Sequence, residues 1–314
     1  MSVGFIGLGN VGVKLANNLL SSEHLLFVHD LDKNNALEVI NKGAIWCESS
    51  MEIAKKCETI ITCLPSPQAV SEVIEGPEGL LRSDVRKKLW IEMSTTDSEE
   101  MIRLAEISNS KGLEAIEAPV SGGCHRAATG NIAIFAAGSR TNFERALPIL
   151  KCLGHEILHI GELGKASVLK VVTNFLASTH LVALGEALAV CKKSNIDLTK
   201  AFKGIKISSG NSFVHETESQ VILNGSYNIN FTMDLVCKDV QLFHSLAEDH
   251  NVPTEISSNI VEIFNEGKEK YGSRAWSSMI VKRIEDQCGI NLRAPGFPDE
   301  IIDLDNKKEG LEIV

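Results

Sequence analysis

A short apolar run, Val3-Gly-Phe-Ile6, passes directly into Gly7-Leu8-Gly9-Asn10-Val11-Gly12 and then into a helical pattern over Val11 to Leu20. A strand, a glycine turn and a helix in that order can hold an anion on backbone amides. Gly7 allows the tight turn, Gly9 lets a pyrophosphate approach N–H groups at the helix N-terminus, and Gly12 lets helix and strand pack closely. A ligand-free glycine turn has the same spelling, so the flanking strand and helix carry the reading. Asp30 closes a second run, Leu25-Leu-Phe-Val-His29, 18 residues after Gly12. A carboxylate there can accept hydrogen bonds from an adenosine ribose and would repel a 2′-phosphate, which favours NAD over NADP. The alternative is an Asx turn or helix cap, because Leu31-Asp32-Lys33-Asn34 follows.

Up to about residue 160, short β-branched runs alternate with helical patterns at the spacing of βαβ units. Thr59–Leu64, Leu89–Met93, Glu114–Ile116, Ile132–Ala136 and Glu156–Ile160 read as further strands, and a second helix is expected from about Lys33. After Gly161 a 3.6-residue period dominates, over 165–193, 197–208, 235–249, 254–270 and 275–287, and no run there reads convincingly as a strand. The predicted fold is α/β: an N-terminal Rossmann-type, doubly wound, mostly parallel sheet over 1–163, then an all-helical domain over 164–288 joined through one long helix. The tail, 289–314, holds two prolines and then turns acidic, and is expected to be an extended arm or a disordered end.

A length of 314 residues suits two domains. With 31 basic against 41 acidic residues the formal charge is -10, so nucleic acid is not an expected partner and any anionic ligand must be held by local groups. The eight cysteines are scattered without a CxxC pair and read as buried thiols of a reducing compartment. No h-region or Arg-rich transit segment is read at the start, so a cytoplasmic location is expected, or the mitochondrial matrix if a transit peptide has been removed. The longest apolar stretch, roughly Val168 to Cys191, contains Lys170, Asn174, His180 and Glu186. Lipid would tolerate these poorly, so the stretch reads as a buried helix and no membrane is expected. No cluster has metal-ligand spacing, no metal is expected, and His125 beside Cys124 reads as incidental.

Three further constellations carry chemistry. Glu117-Ala-Pro-Val-Ser121-Gly122-Gly123 follows a strand-like run, and Ser-Gly-Gly offers a hydroxyl and backbone amides to a small carboxylate, or is merely a turn. Lys170 and Asn174 stand four apart, one turn apart on the same face of the long apolar helix. A lysine there must either reach water along its stem or have a task. Lys238-Asp239 lies near the start of a later helix, after Phe231-Thr-Met-Asp, where a solvated helix face is the plain alternative.

Together these residues resemble the β-hydroxyacid dehydrogenase family, most closely its 3-hydroxyisobutyrate dehydrogenases, from about residue 2 to 288. GFIGLGNVG resembles the family's nucleotide signature, with Val11 where methionine is usual. Leu64-Pro65 and Ser94-Thr95 resemble the loops that reach the nicotinamide side of the cofactor. EAPVSGG matches the substrate segment, with Glu117 replacing the usual aspartate. The run from Gly161 and Gly164 to Lys170 and Asn174 matches the catalytic segment, with Ala166 where glycine is common. Lys238-Asp239 resembles a Lys-Asp pair whose lysine lies beside cofactor and substrate, and Ser208-Ser-Gly-Asn-Ser212 resembles a pocket-closing loop.

The resemblance implies reversible hydride transfer between NAD and a short-chain 3-hydroxy acid, of the type 3-hydroxyisobutyrate to methylmalonate semialdehyde. Lys170 would be the general acid and base and Asn174 would orient it. Ser121, Gly122, Gly123 and Lys238 would hold substrate. Gly7, Leu8, Gly9, Asn10, Val11, Gly12, Asp30, Leu64, Pro65, Thr95, Phe231 and Lys238 would contact the cofactor. To serve as a base the lysine's pKa must fall from roughly 10.4 toward about 7–8, and burial acts in that direction. A reductase of tartronate semialdehyde or another small aldehyde acid is the alternative within the family. Outside it stands a catalytically inactive nucleotide-binding interaction module, which should have lost the lysine. The long apolar helix also suggests a homo-oligomer, dimer or tetramer, with Pro295-Gly-Phe-Pro298 docking on a neighbouring subunit.

Overall fold

The computed structural model describes residues 1–22 and 24–314, and the chain forms two units, Met1–Lys170 together with Asp303–Val314, and Val171–Ile302. Strand and helix alternate through unit 1. Its first half runs β1 (Ser2–Ile6), α1 (Gly12–Leu20), β2 (Leu25–His29), α2 (Leu37–Asn41), β3 (Ile45–Trp46), α3 (Ser50–Lys56), β4 (Thr59–Thr62) and α4 (Pro67–Glu75). The second half runs β5 (Lys88–Glu92), α5 (Ser98–Ser110), β6 (Leu113–Glu117), β7 (Val120–Ser121), α6 (Gly123–Thr129), β8 (Ile132–Ala137), α7 (Arg140–Leu153) and β9 (Gly154–Gly161). The helix expected from Lys33 is a 3-10 turn over Lys33–Ala36 that leads into α2.

Ser49, Ser66, Asp97 and Ser139 start α3, α4, α5 and α7 by accepting the backbone N–H three residues on. Successive strand residues face opposite sides: Ile60 and Trp90 enter one apolar core, and Ile61, Leu89 and Ile91 the other. A sheet buried on both faces must be covered by helices, which is why the strands are near-continuous apolar runs.

The strands from β3 to β6 are parallel and lie in the order β3-β2-β1-β4-β5-β6. The direction of winding reverses between β1 and β4, and in such sheets ligands bind outside the carboxyl ends of the strands at that reversal. Beyond β6 the sheet continues through β8, which is antiparallel to β6 and β7 and parallel to β9.

Unit 2 is helical, and its first helix, α8 (Lys165–Lys193), begins in unit 1 and supplies Lys170 as that unit's last residue. α9 (Leu198–Lys206), α10 (Phe213–Asn224), α11 (Met233–Asp249), α12 (Ser257–Tyr271) and α13 (Lys282–Cys288) follow. α10 was not anticipated. Its buried face includes His215 and Ser219, and these polar residues hide the apolar period. By length and composition α8 could cross a bilayer, but it carries Lys170, Asn174 and Glu186, and Leu181, Leu184 and Leu188 are buried in the core of unit 2.

The tail corrects the expectation that no strand follows Gly161. It is an ordered part of both units rather than a loose end, and it contributes a strand, β10 (Leu311–Ile313), which pairs parallel to β9 at the sheet edge. Within unit 2 its first stretch is anchored on Glu285, which is 1% exposed. That carboxylate accepts from the Leu292 N–H (2.6 Å), from Arg293 Nη1 (2.8 Å) and from the Tyr227 hydroxyl. Phe297 stands edge-on to Phe202 of its own chain with ring centroids 5.1 Å apart. Replacing Glu285 by Ala strips three donors of one shared buried acceptor, and a stability loss of about 3 kcal/mol is expected in urea denaturation.

Candidate active site

The glycine loop is shaped by close backbone approach at two of its three glycines. Gly7 has φ +94, and a methyl group on it would lie 2.3 Å from the Cys63 carbonyl oxygen. One on Gly12 would lie 2.0 Å from the Gly7 carbonyl oxygen, whereas one on Gly9 would meet nothing within 4 Å. The loop is thus packed below and open above, with Gly9 and Asn10 exposed. Asp30 follows β2 and ties into the same loop. Its Oδ2 accepts the Leu8 N–H (2.6 Å), while Oδ1 accepts from the Asp32 N–H (2.9 Å) and Asn35 Nδ2 (3.0 Å). The Asx-type turn considered for Asp30 therefore exists alongside its place at the end of β2.

Leu64 and Pro65 follow β4, and Ser94 and Thr95 follow β5, so both loops lie at carboxyl ends of adjacent strands. The Leu64 N–H donates to Ser94 Oγ at 2.7 Å. Beneath them Glu92, fully buried, accepts from the Thr62 hydroxyl and, at 2.6 Å, from the Ser94 N–H. Trp90 Nε1 in turn donates to Thr62 Oγ1 at 2.7 Å. Burial pushes the Glu92 carboxyl up to about 7; the bonds from Ser94 and Thr62 oppose this, and the nearby charge of Glu117 adds to it.

Glu117 sits opposite Glu92 in register on β6 and is fully buried. Its carboxylate accepts from the Ala166 N–H (3.0 Å), the Ser167 N–H (3.0 Å) and Ser167 Oγ (2.5 Å). The two amides are orphan donors of the first turn of α8, where the helix dipole also favours a negative charge. Burial nonetheless moves its pKa upward, against those hydrogen bonds. One turn further on, Lys170 is 8% exposed. Ser121 closes β7, and Gly122 (φ +126) and Gly123 (φ +82) turn the chain into α6. The side chains of Arg126 and His125 fold back over these glycines: methyl groups there would lie 3.1 Å from Arg126 Cδ and from the His125 ring respectively.

In unit 2, Asn174 Nδ2 donates to Asp239 Oδ2 at 2.5 Å. Asp239 is 2% exposed, and its other oxygen lies 2.9 Å from Lys238 Nζ, as an ion pair rather than an aligned hydrogen bond. One buried carboxylate therefore fixes both Asn174 and Lys238. Phe231 is half-buried before α11, with its carbonyl accepting the Ser277 N–H at 2.8 Å.

Within unit 1 the glycine loop, Asp30, Leu64, Pro65, Thr95 and Ser121–Gly123 thus follow strand ends; Asn174, Lys238 and Asp239 form a second group in unit 2. Glu92, the capping role of Glu117 and the bridging role of Asp239 went unread in the sequence. The available signal was an acidic residue closing an apolar strand or buried in a helix, which is costly without partners.

The stretch 2–161 matches the family model described as the NAD binding domain of 6-phosphogluconate dehydrogenase. Residues 164–284 match the one described as NAD-binding of NADP-dependent 3-hydroxyisobutyrate dehydrogenase. The chain is 30% identical over 293 residues to 2-(hydroxymethyl)glutarate dehydrogenase of Eubacterium barkeri, covering 93% of this chain and 97% of the relative. It is also 30% identical over 270 residues to 3-hydroxyisobutyrate dehydrogenase of Pseudomonas aeruginosa, covering 84% of this chain and 91% of that one. A solved 3-hydroxyisobutyrate dehydrogenase from Salmonella typhimurium superposes with TM-score 0.83 at 25% identity, covering 90% of this chain and 99% of its own.

Because the Glu92 pKa is raised on folding, the folded state binds the proton more tightly. The stabilisation is full below the unfolded carboxyl range and is lost as pH rises through about 7. For a group this buried, the linkage contributes on the order of 3 kcal/mol between about pH 4.5 and 7. Glu92→Gln should flatten that part of the stability-versus-pH curve, measured by denaturation at stepped pH; an unchanged slope would assign it to other groups.

Proposed function

The chain belongs to the β-hydroxyacid dehydrogenase family, and from that premise we propose that it carries out reversible hydride transfer between NAD and a short-chain 3-hydroxy acid, with Lys170 as general acid and base. As a family member it is an NAD-binding oxidoreductase that acts on hydroxy acids. The open side of Gly9, the tight turn at Gly7 and the place of Asp30 after β2 suit a dinucleotide. When bound, NAD accepts or supplies the hydride; the chain contributes the proton and the alignment.

The observation that carries the reading is the burial of Lys170, one turn into a helix whose start is held by Glu117. In oxidation Lys170 takes the proton from the substrate hydroxyl, and in reduction it returns it to the forming alkoxide. Asn174, held by Asp239, orients the lysine or the reacting oxygen. Ser121, Gly122 and Gly123 hold the substrate carboxylate, with Lys238 beside cofactor and substrate, which supplies the positioning component of catalysis. The substrates named for the two sequence relatives are both 3-hydroxypropionates that differ in the substituent on C2. We assign this chain the same substrate class, and NAD over NADP on the strength of Asp30. Leu176 and Val190, 47% and 66% exposed on α8, support a homo-oligomer.

Lys170→Ala is expected to lower kcat by at least about a hundredfold while NADH binding, read by fluorescence titration, changes little. Retention of more than about a tenth of kcat would remove Lys170 from the chemistry. The wild type should prefer NAD when 3-hydroxypropionate, 3-hydroxyisobutyrate and 2-(hydroxymethyl)glutarate are assayed at 340 nm, and Asp30→Ala should narrow that preference. A wild type that prefers NADP would leave Asp30 as a turn residue only.

A further inference from the structure

The last twelve residues, Asp303–Val314, belong to unit 1 although the chain reaches them through unit 2. They lie beyond residue 284, where the second family match stops. The segment makes a dense set of contacts to one place, the far end of the helix that begins at the substrate loop. Asp303 Oδ2 accepts from Thr129 Oγ1 (2.5 Å) and from Asn131 Nδ2 (3.0 Å). Asn131 is 7% exposed; its Nδ2 also donates to the Asn306 carbonyl (3.2 Å), and its Oδ1 accepts the Lys308 N–H (2.9 Å). Both the Nδ2 and the Oδ1 of that buried amide therefore bond to the tail. Lys307 packs along Gly130, where a methyl group would lie 3.0 Å from its Cε, and its Nζ reaches the Cys152 carbonyl at 2.8 Å.

The rest of the segment fastens this clamp to the sheet edge. The Glu309 carbonyl meets His155 Nδ1 at 2.7 Å, Leu311–Ile313 pair with Glu156–Leu158, and Glu312 takes Arg140 at both oxygens, at 2.5 and 3.0 Å. α6 is also tied to α1, where Asn18 Nδ2 donates to the Ala127 carbonyl (2.8 Å). A helix this short is marginal by itself, so what fixes its two ends fixes the loop that enters it. The link to the loop is direct: the His125 ring lies against Gly123 and the Arg126 stem against Gly122. Asp303 is close enough that its charge acts on His125, opposing the downward push of burial and Arg126.

We infer that Asp303–Val314 is a built-in brace for the substrate loop, and that Asp303 is its positioning residue, holding Ser121–Gly123 through α6. The kinetic part of this inference rests on the hydroxy-acid reading above; the structural part does not. Two full-length variants separate them. Asp303→Ala removes the clamp at α6 but leaves β10 in place, and Glu312→Ala loosens β10 but leaves the clamp.

Hydrogen exchange over residues 120–131 should be about tenfold faster in Asp303→Ala, with β1 and β2 unchanged, and little altered in Glu312→Ala. The hydroxy-acid KM of Asp303→Ala should rise about tenfold, with kcat and the KM for NAD within about twofold of wild type. Unchanged exchange over 120–131 overturns the brace, and so does faster exchange with an unchanged hydroxy-acid KM. Equal effects from both variants would reduce the tail to a general stabiliser and overturn the role of Asp303. Should the wild type oxidise no 3-hydroxy acid, the functional reading fails, and the exchange result alone decides whether the brace exists.

Discussion

The carboxylate of Glu117 at the first turn of α8 is the contact on which the arrangement of the site depends. It joins the end of β6 to the helix that carries Lys170, across a sequence separation of about fifty residues. Burying a carboxylate is costly unless donors meet it, and here two backbone amides and a hydroxyl do so at a helix N-terminus. Those amides would otherwise be unsatisfied, so charge and helix end meet each other's need. The position of Lys170 along the helix follows from where that first turn is fixed. A glutamate in place of the usual aspartate is longer by one methylene, and Ala166, fully buried, stands where glycine is common.

Below the strand ends lies a second buried carboxylate, Glu92, paired in register with Glu117. The charge of Glu117 adds to the proton affinity of Glu92, yet each has a separate task. Glu92 organises the Leu64 and Ser94 loops through Thr62 and the Ser94 backbone, and Glu117 organises α8. In unit 2, Asp239 repeats the device with Asn174 and Lys238. In a chain of net charge -10, the donors proposed for anionic ligands are local ones, glycine-loop amides and two lysines, while its buried acids act as internal fasteners.

The residues proposed to face ligand were legible as candidates because their chemistry is local. A glycine turn between strand and helix, and a Lys-x-x-x-Asn pair inside an apolar helix, need only a few neighbouring residues to be recognised. The alternation of apolar runs likewise foretold the doubly wound sheet. The acids that hold the site were not legible, since their partners are distant in sequence: Ala166 for Glu117, Asn174 for Asp239. α10 escaped because two of its buried positions are His215 and Ser219, hydrogen-bonded to each other at 2.9 Å and so tolerated in a core. β10 escaped because a three-residue strand owes its existence to the edge of β9 rather than to its own propensity.

The central claim is that Glu117 sets the position of the lysine that moves the substrate proton. Its most direct test is kcat for Glu117→Gln with NAD and the best 3-hydroxypropionate substrate, alongside NADH affinity. The glutamine keeps the size and one acceptor, but its amide group opposes one of the helix donors. The account predicts a fall in kcat of at least about tenfold with NADH affinity unchanged. A kcat within about twofold of wild type, in a variant shown to be folded, would contradict it.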